Sequence, residues 1–195
     1  MIAPDSRRRP TPRARRWAVP AVLVLMLLAG AHATTYLQLT PAQMLDRADL
    51  VFVGTVSDVS VAVRGGRPWT DVTFDVGTPL EGIPTDADGK ASGPETLSFL
   101  GGNAAGGPSL TVSGMPQFQN GDHVLLFAYD QAYASPIVGF RQGVWRVTDA
   151  GLVDEDGRQL SVDKNGDLVA EGSGAPLPQV VDAIRKLLGP KATAP

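Results

Sequence analysis

Cysteine is absent from the chain, and histidine occurs only at His32 and His123. Without thiols no disulfide forms, so any folded domain must rest on its apolar core alone. One histidine outside the N-terminal leader, with no cysteine, leaves no ordinary ligand set for zinc or copper. Aromatic residues make up 6% of the chain, too few for a stacking platform that reads nucleic-acid bases, and Phe52, Phe74, Phe99 and Phe127 stand in phase with aliphatic neighbours as core residues do. Basic residues are scarce beyond residue 33. Arg7, Arg8, Arg9, Arg13, Arg15 and Arg16 all lie in the leader, which leaves eleven basic against nineteen acidic residues, a formal charge of −8. Such a surface repels phosphate backbones and anionic lipid heads, which excludes nucleic acid as a partner.

What is present begins with that leader. The arginines precede an apolar run from Trp17 to Ala31, and Ala31-His32-Ala33 is the small-x-small pattern of a signal-peptidase site. Residues 1–33 therefore read as a signal peptide of the ordinary secretory type, cleaved before Thr34. A membrane anchor is the competing reading, but the run is shorter than the roughly 20 apolar residues a span requires and contains Pro20. The expected product is a secreted or periplasmic, monomeric protein with no stable membrane insertion after cleavage. Its 162 residues suffice for a single core.

Thr40-Pro41-Ala42-Gln43 carries the marks of a helix start: an N-cap hydroxyl, proline at the first helical position and Gln43 placed to close a capping box. The longest β-rich run follows, from Arg47 to Val63. Leu50 to Val53 are apolar on both faces, as in a strand between two layers, whereas Val59, Val61 and Val63 alternate with Asp58 and Ser60. Gly54 sits near the phase change, where a bulge or bend is expected. After the turn Arg64-Gly65-Gly66-Arg67-Pro68, Trp69 to Thr78 alternates as an antiparallel partner with Asp71, Thr73 and Asp75 toward solvent. Residues 82–94 form a loop. Further strands are expected at Glu95 to Leu100, Ser109 to Ser113, Val124 to Tyr129 and Ile137 to Thr148. Tight turns follow at Ala150-Gly151, Asp156-Gly157 and Asn165-Gly166, the last two of the hairpin type with positive φ at both central residues. A C-terminal helix starts near Pro178, with Val180, Val181, Ile184, Leu187 and Leu188 on one face, and should pack on the sheet; Lys191 to Pro195 should fray.

The glycine-rich stretch Gly101-Gly102-Asn103-Ala104-Ala105-Gly106-Gly107-Pro108 lacks the following helix and nearby lysine of a phosphate loop. It reads as a hairpin connection. As a binding loop its contacts would come from Gly101, Gly102, Asn103, Gly106 and Gly107, small enough for another backbone to approach; the alternative is a spacer. His123 has no partner that would make it a general base, and Val112-Ser113-Gly114 lacks the first glycine of a nucleophile elbow. Asp154, Glu155, Asp156, Asp163, Asn165 and Asp167 raise the question of calcium. Gly166 is fourth from Asp163, where an EF-hand places its glycine sixth, and no glutamate closes the loop, so these acids read as hairpin tips. No metal site, cofactor or catalytic residue is expected.

The succession Ala48-Asp49-x-Val51-x-x-Gly54-x-Val56, Val76-x-x-Pro79-Leu80-Glu81-Gly82, Gly101-Gly102 and Gly114-x-Pro116-x-Phe118-x-x-Gly121-Asp122-x-Val124-x-x-Phe127 resembles a group of uncharacterised exported bacterial proteins. These are similar in turn to netrin-like modules exemplified by tissue inhibitors of metalloproteinases. The first likeness spans about residues 39–147; the second rests on the helix, on Ala48-Asp49 and on the Leu80-x-Gly82 turn. It implies a mainly β protein with a five-stranded OB-like barrel over 34–149 behind the short N-terminal helix; the turns and the apolar helical face read above add a β-meander and a C-terminal helix over 150–195, packed on that barrel. It also implies a non-enzymatic binding module directed at a peptidase or another secreted protein, with Thr34 to Leu39 as a further contact region. The inhibitors bind protease zinc through an N-terminal cysteine; a chain beginning at Thr34 does not carry that mechanism. Two other readings stay open: a hydrolase using paired carboxylates such as Asp71 and Asp75, and a structural protein of the envelope.

Overall fold

The computed structural model describes residues 37–189. The leader and its cleavage point, residues 34–36 of the expected contact region, and the chain end from Lys191 to Pro195 lie outside the described residues. Helix α1 (Pro41–Arg47) has the capping box anticipated for it: Gln43 N–H donates to the Thr40 hydroxyl at 3.2 Å, and Thr40 N–H donates to the Gln43 side chain at 3.0 Å. Ten strands follow, β1 (Leu50–Arg64), β2 (Arg67–Glu81), β3 (Glu95–Leu100), β4 (Gly102–Asn103), β5 (Ser109–Leu110), β6 (His123–Ala128), β7 (Val144–Thr148), β8 (Gly151–Val153), β9 (Gln159–Val162) and β10 (Leu168–Val169), before helix α2 (Leu177–Leu188). Neither helix is long and apolar enough to cross a membrane.

Eight strands form one antiparallel sheet in the order β10-β9-β8-β7-β6-β1-β2-β3, and β4 with β5 forms a separate small hairpin. The protein is thus mainly β, but the sheet is open and the expected five-stranded barrel is not closed. Closure would need β3 to pair along its free side. It meets the segment after β6 through one backbone bond, from Leu100 N–H to the Ala134 carbonyl at 2.7 Å, while that segment runs irregularly through 129–136. The meander β7 to β10 continues the same sheet instead of being added to a barrel.

The double-sided burial of Leu50 to Val53 follows from where β1 lies, between β2 and β6. Val51 and Val53 face a core shared with Leu125, Phe127, Trp145 and Leu160, covered by Met44 and Leu45 of α1 and by Val180, Val181 and Ile184 of α2. Phe52 and Val56 face the opposite core with Val72, Phe74, Leu97, Phe99, Phe118 and Leu126. There Phe52, Phe74 and Phe118 meet edge to face at 5.6 Å between ring centroids, and Phe99 lies 5.4 Å from Phe118. Leu187 departs from the expected apolar face of α2, being 41% exposed.

Register shifts between Val53 and Gly54 and between Val56 and Asp58 mark the bend in β1. Its pairing with β6 stops at Thr55, while pairing with β2 continues to the Gly65-Gly66 turn. Both turn glycines have positive φ, 56° and 75°, as a two-residue hairpin loop requires. The β1–β2 ribbon therefore runs past the core, and Val61 and Val63 are 38% and 50% exposed.

Three other expectations are corrected. The strand foreseen at 137–148 starts only at Val144, because Val138 N–H bonds the Phe127 carbonyl and Gly143 N–H bonds the Val138 carbonyl, enclosing a tight turn with Gly139 and Phe140 at φ of 65° and 70°. Of Ser109 to Ser113 only Ser109 and Leu110 are strand, since β4 offers two residues to pair with. The Asp156-Gly157 and Asn165-Gly166 turns have positive φ at the glycine alone, 80° and 89°. These are three-residue hairpin loops closed by Asp154–Arg158 and Asp163–Asp167, with the glycine in a bulge.

The reason is a motif that recurs three times, Asp-x-(Asp/Asn)-Gly-x at 86–90, 154–158 and 163–167. In each, one carboxylate oxygen of the first Asp accepts two backbone N–H groups, from Asp88 and Lys90, from Asp156 and Arg158, and from Asn165 and Asp167, all at 2.8–3.0 Å.

Candidate functional site

The glycine-rich connection packs back on its own chain. Gly101 N–H donates to the Pro68 carbonyl at 2.9 Å, the Thr70 hydroxyl donates to the Gly101 carbonyl at 2.9 Å, and Gly102 and Asn103 pair with Leu110 and Ser109. At Gly102, φ is 127° and an added Cβ would stand 2.7 Å from the Thr70 hydroxyl and 3.1 Å from Val61. At Gly101, φ is 115° and a Cβ would meet the Leu110 carbonyl at 2.9 Å. Gly107 lies over Ala104 and Val63; Asn103 and Gly106 are exposed, Gly106 at φ 68° with open space around it. The close approach is thus made to the β1–β2 ribbon at Gly102 and to Leu110 of the same hairpin at Gly101. Beneath the hairpin is a cavity of about 290 Å³ lined by Val59, Val72, Gly102, Leu110, Met115 and Phe118.

A larger cleft, about 540 Å³, opens on the other side of β3, between that strand and residues 129–136. Its apolar lining includes Leu50, Trp69, Leu97 and Tyr129, and its polar lining Glu95 and Asp130. Tyr129 is braced edge to face by Tyr133 at 5.2 Å. Burial raises the Glu95 carboxyl above its ordinary value, and the charge of Asp130 adds to the effect. Asp49 anchors the far wall by accepting the Asp130 N–H at 3.1 Å. Arg64, also on the cleft, is already committed: Nη1 donates to Asp71 at 2.9 Å and to the Ser98 hydroxyl at 3.2 Å, and Nη2 pairs with Asp71. Burial disfavours the Asp71 charge, but the bonds from Arg64 and Ser98 and the charge of Arg64 outweigh it, so this carboxyl titrates below its ordinary range.

The outer rim of β3 is where the sheet ends. Leu100 N–H points away from β2, toward Ala134. Because the main-chain groups of a strand alternate in direction, Thr96 and Ser98 point the same way. Their side chains agree: Ser98 donates to Asp71 at 2.6 Å and Thr96 lies 3.0 Å from the Thr73 hydroxyl, the close approach found at pairs that do not exchange backbone bonds. Among the described residues nothing bonds the outward N–H and C=O of Thr96 and Ser98.

The remaining candidates lie on other parts of the sheet and its turns. Asp71 is held by Arg64 and Ser98, and Asp75 is exposed opposite Thr55. His123 is exposed at the start of β6, also paired with Thr55. Asp154 and Asp163 cap their turns, Asp156 and Glu155 pair with Arg141, and no metal-holding group of three or more His, Asp or Glu occurs among the described residues. Burial raises the Glu155 carboxyl, with Arg141 and Arg146 working against it. Asp122 and Arg146 form a clamp, Nη1 to Oδ2 at 2.6 Å, that fixes the 115–122 turn with help from the Gln117 carbonyl.

Sequence reasoning placed the site candidate at the glycine stretch and did not single out Thr96, Ser98, Glu95, Tyr129 or Asp130. Alternation identifies β3 as a strand and carries no sign of whether one or both of its sides is paired. No protein-family model matches the chain, and no curated protein shows detectable similarity to it.

Proposed function

We propose that this is an exported, non-enzymatic binding module that engages another exported protein, a peptidase among the candidates. The observation that carries the reading is the uncovered β3 edge beside an apolar cleft with an acidic rim, a surface able to hold a partner without chemistry. The arginine-rich leader supports export, and the cysteine-free composition is compatible with it. The core of Phe52, Phe74, Phe99 and Phe118, wrapped by the two long strands and β3, supports an OB-like, netrin-related reading of this half of the sheet. The hydrolase alternative loses its best pair, since Asp71 is bound up with Arg64 and Ser98.

The test is capture from the secreted or periplasmic fraction by the tagged protein, whose N-terminus should be Thr34. A stoichiometric protein partner is expected, with no turnover of peptide, ester or glycoside panels. Turnover that disappears in an Asp71→Asn variant would reinstate the hydrolase.

A further inference from the structure

We infer that the partner contributes one extended peptide segment carrying a lysine or arginine, which adds to the sheet along β3 as a ninth strand. This rests on the binding-module reading and names its mode and ligand.

Two residues in the middle of β3, Thr96 and Ser98, present two N–H and two C=O groups to the cleft and not to β2. A strand edge of this kind is a template for another main chain, and the hydrogen bonds it forms do not depend on the partner's sequence. Five residues of β3, Glu95 to Phe99, extend about 17 Å at roughly 3.4 Å per residue. The segment 129–136 supplies the opposite wall, and the bond its Ala134 carbonyl accepts from Leu100 N–H closes one end, so the guest strand has a defined limit. The cleft's 540 Å³ is of the size that takes a few side chains. Folded proteins usually protect such an edge with lysine, proline or a bulge; β3 contains none of these.

Charge decides the side chain. Glu95 and Asp130 lie close enough for the charge of one to act on the other, and neither makes an ion pair with a described residue. Among the described residues the one cation on the cleft is Arg64, and it is spent on Asp71. A lysine or arginine alternating toward that end of the guest would relieve the repulsion between the two acids, whereas an acidic guest would add to it. Trp69 and Tyr129 offer flanking surface to its aliphatic stem.

The experiment is a selection from a random peptide display library on the exported protein, followed by amide hydrogen exchange and affinity measurement with the peptides recovered. Enriched peptides should carry Lys or Arg among β-branched residues and should slow exchange at Thr96 and Ser98. Glu95→Lys should weaken them by at least about tenfold while leaving the fold intact, and Thr96→Pro should abolish binding. The inference is overturned if no peptide is enriched, if the peptides leave Thr96 and Ser98 unprotected, if Glu95→Lys binds them equally, or if the edge is instead occupied by a second copy, seen as self-association lost in Thr96→Pro. Protein capture that survives Thr96→Pro would keep the module reading and sink edge docking. Substrate turnover with peptide protection intact at Thr96 and Ser98 would do the reverse.

Discussion

The guanidinium of Arg158 grips the carboxylate of Asp154 from four residues away, with Nε donating to Oδ2 at 2.7 Å and Nη2 in ion contact with the same oxygen at 2.6 Å, while Oδ1 of the same carboxylate caps the turn between them. The Asp154 side chain is 3% exposed, and the Arg158 guanidinium lies 6.0 Å over the ring of Trp145, in the core beneath α1 and α2. The turn at 163–167 repeats the backbone pattern without the arginine. One motif therefore serves in two ways, at the surface in the 86–90 and 163–167 copies and with a buried ion pair in the 154–158 copy.

Breaking the buried copy should be much more damaging than breaking the exposed one. Asp154→Ala leaves the Arg158 charge uncompensated in a largely buried setting and should cost about 3 to 5 kcal/mol. Asp163→Ala loses turn-capping bonds in water and should cost clearly less. Denaturant titration of the two variants decides it; equal losses would contradict the role assigned to Arg158.

The glycines should separate by what surrounds them. Gly82 has φ 68°, and a Cβ there would overlap the Asp49 carbonyl oxygen, so Gly82→Ala should cost about 3 kcal/mol or more. Gly106 has the same φ in open space, and Gly106→Ala should cost only about 1 kcal/mol. Gly102→Ala, pressed against Thr70 and Val61, should fall between them. Thermal unfolding gives the order, and a Gly106 variant as unstable as the Gly82 variant would refute the steric account.

Glu95 and Asp71 should give pH dependences of opposite sign. The Glu95 carboxyl is raised above 4.5 by burial and by Asp130, so the folded protein holds that proton more tightly than the unfolded chain. Its contribution to stability is complete below the unfolded value and is lost as pH rises through the folded one. Glu95→Gln should therefore raise Tm by about 2 °C at pH 7 and leave it unchanged near pH 4, the small size reflecting partial exposure. Asp71 is lowered, so its contribution is present above its ordinary value of 3.8 and fades as pH falls below it. Tm measured against pH for Glu95→Gln and Asp71→Asn checks both; a Glu95→Gln difference that does not change with pH would remove the desolvation argument.

In the free protein, amide exchange along β3 should alternate. Leu97 and Phe99 donate toward β2 and Leu100 donates to Ala134, so these should be protected, whereas Thr96 and Ser98 should exchange about a hundredfold faster or more. Uniform protection from 95 to 100 would mean that the edge is already covered.

How far the chain could be read depended on how local each signal is. The helix start at Thr40-Pro41-Ala42-Gln43, the paired glycines of the β1–β2 turn, the bend near Gly54 and the apolar face of α2 through Val180, Val181 and Ile184 rest on residues within a few positions of one another, and the residues alone determine them. The double-sided burial of Leu50 to Val53 was legible for the same reason. Composition alone removed disulfides from consideration. Whether the sheet closes was decided elsewhere, by whether β3 meets a pairing partner across residues 129–136, more than thirty positions away, and a single bond from Leu100 to Ala134 is all that forms. The same distance hid the cleft: Thr96 and Ser98 look like any exposed positions in an alternating strand until the sheet order leaves their outer side unpaired. Glycine at 101 and 102 marks a close approach in either case, and only the tertiary packing shows that the chain approaching is its own, because a missing Cβ records that space is needed and not what fills it.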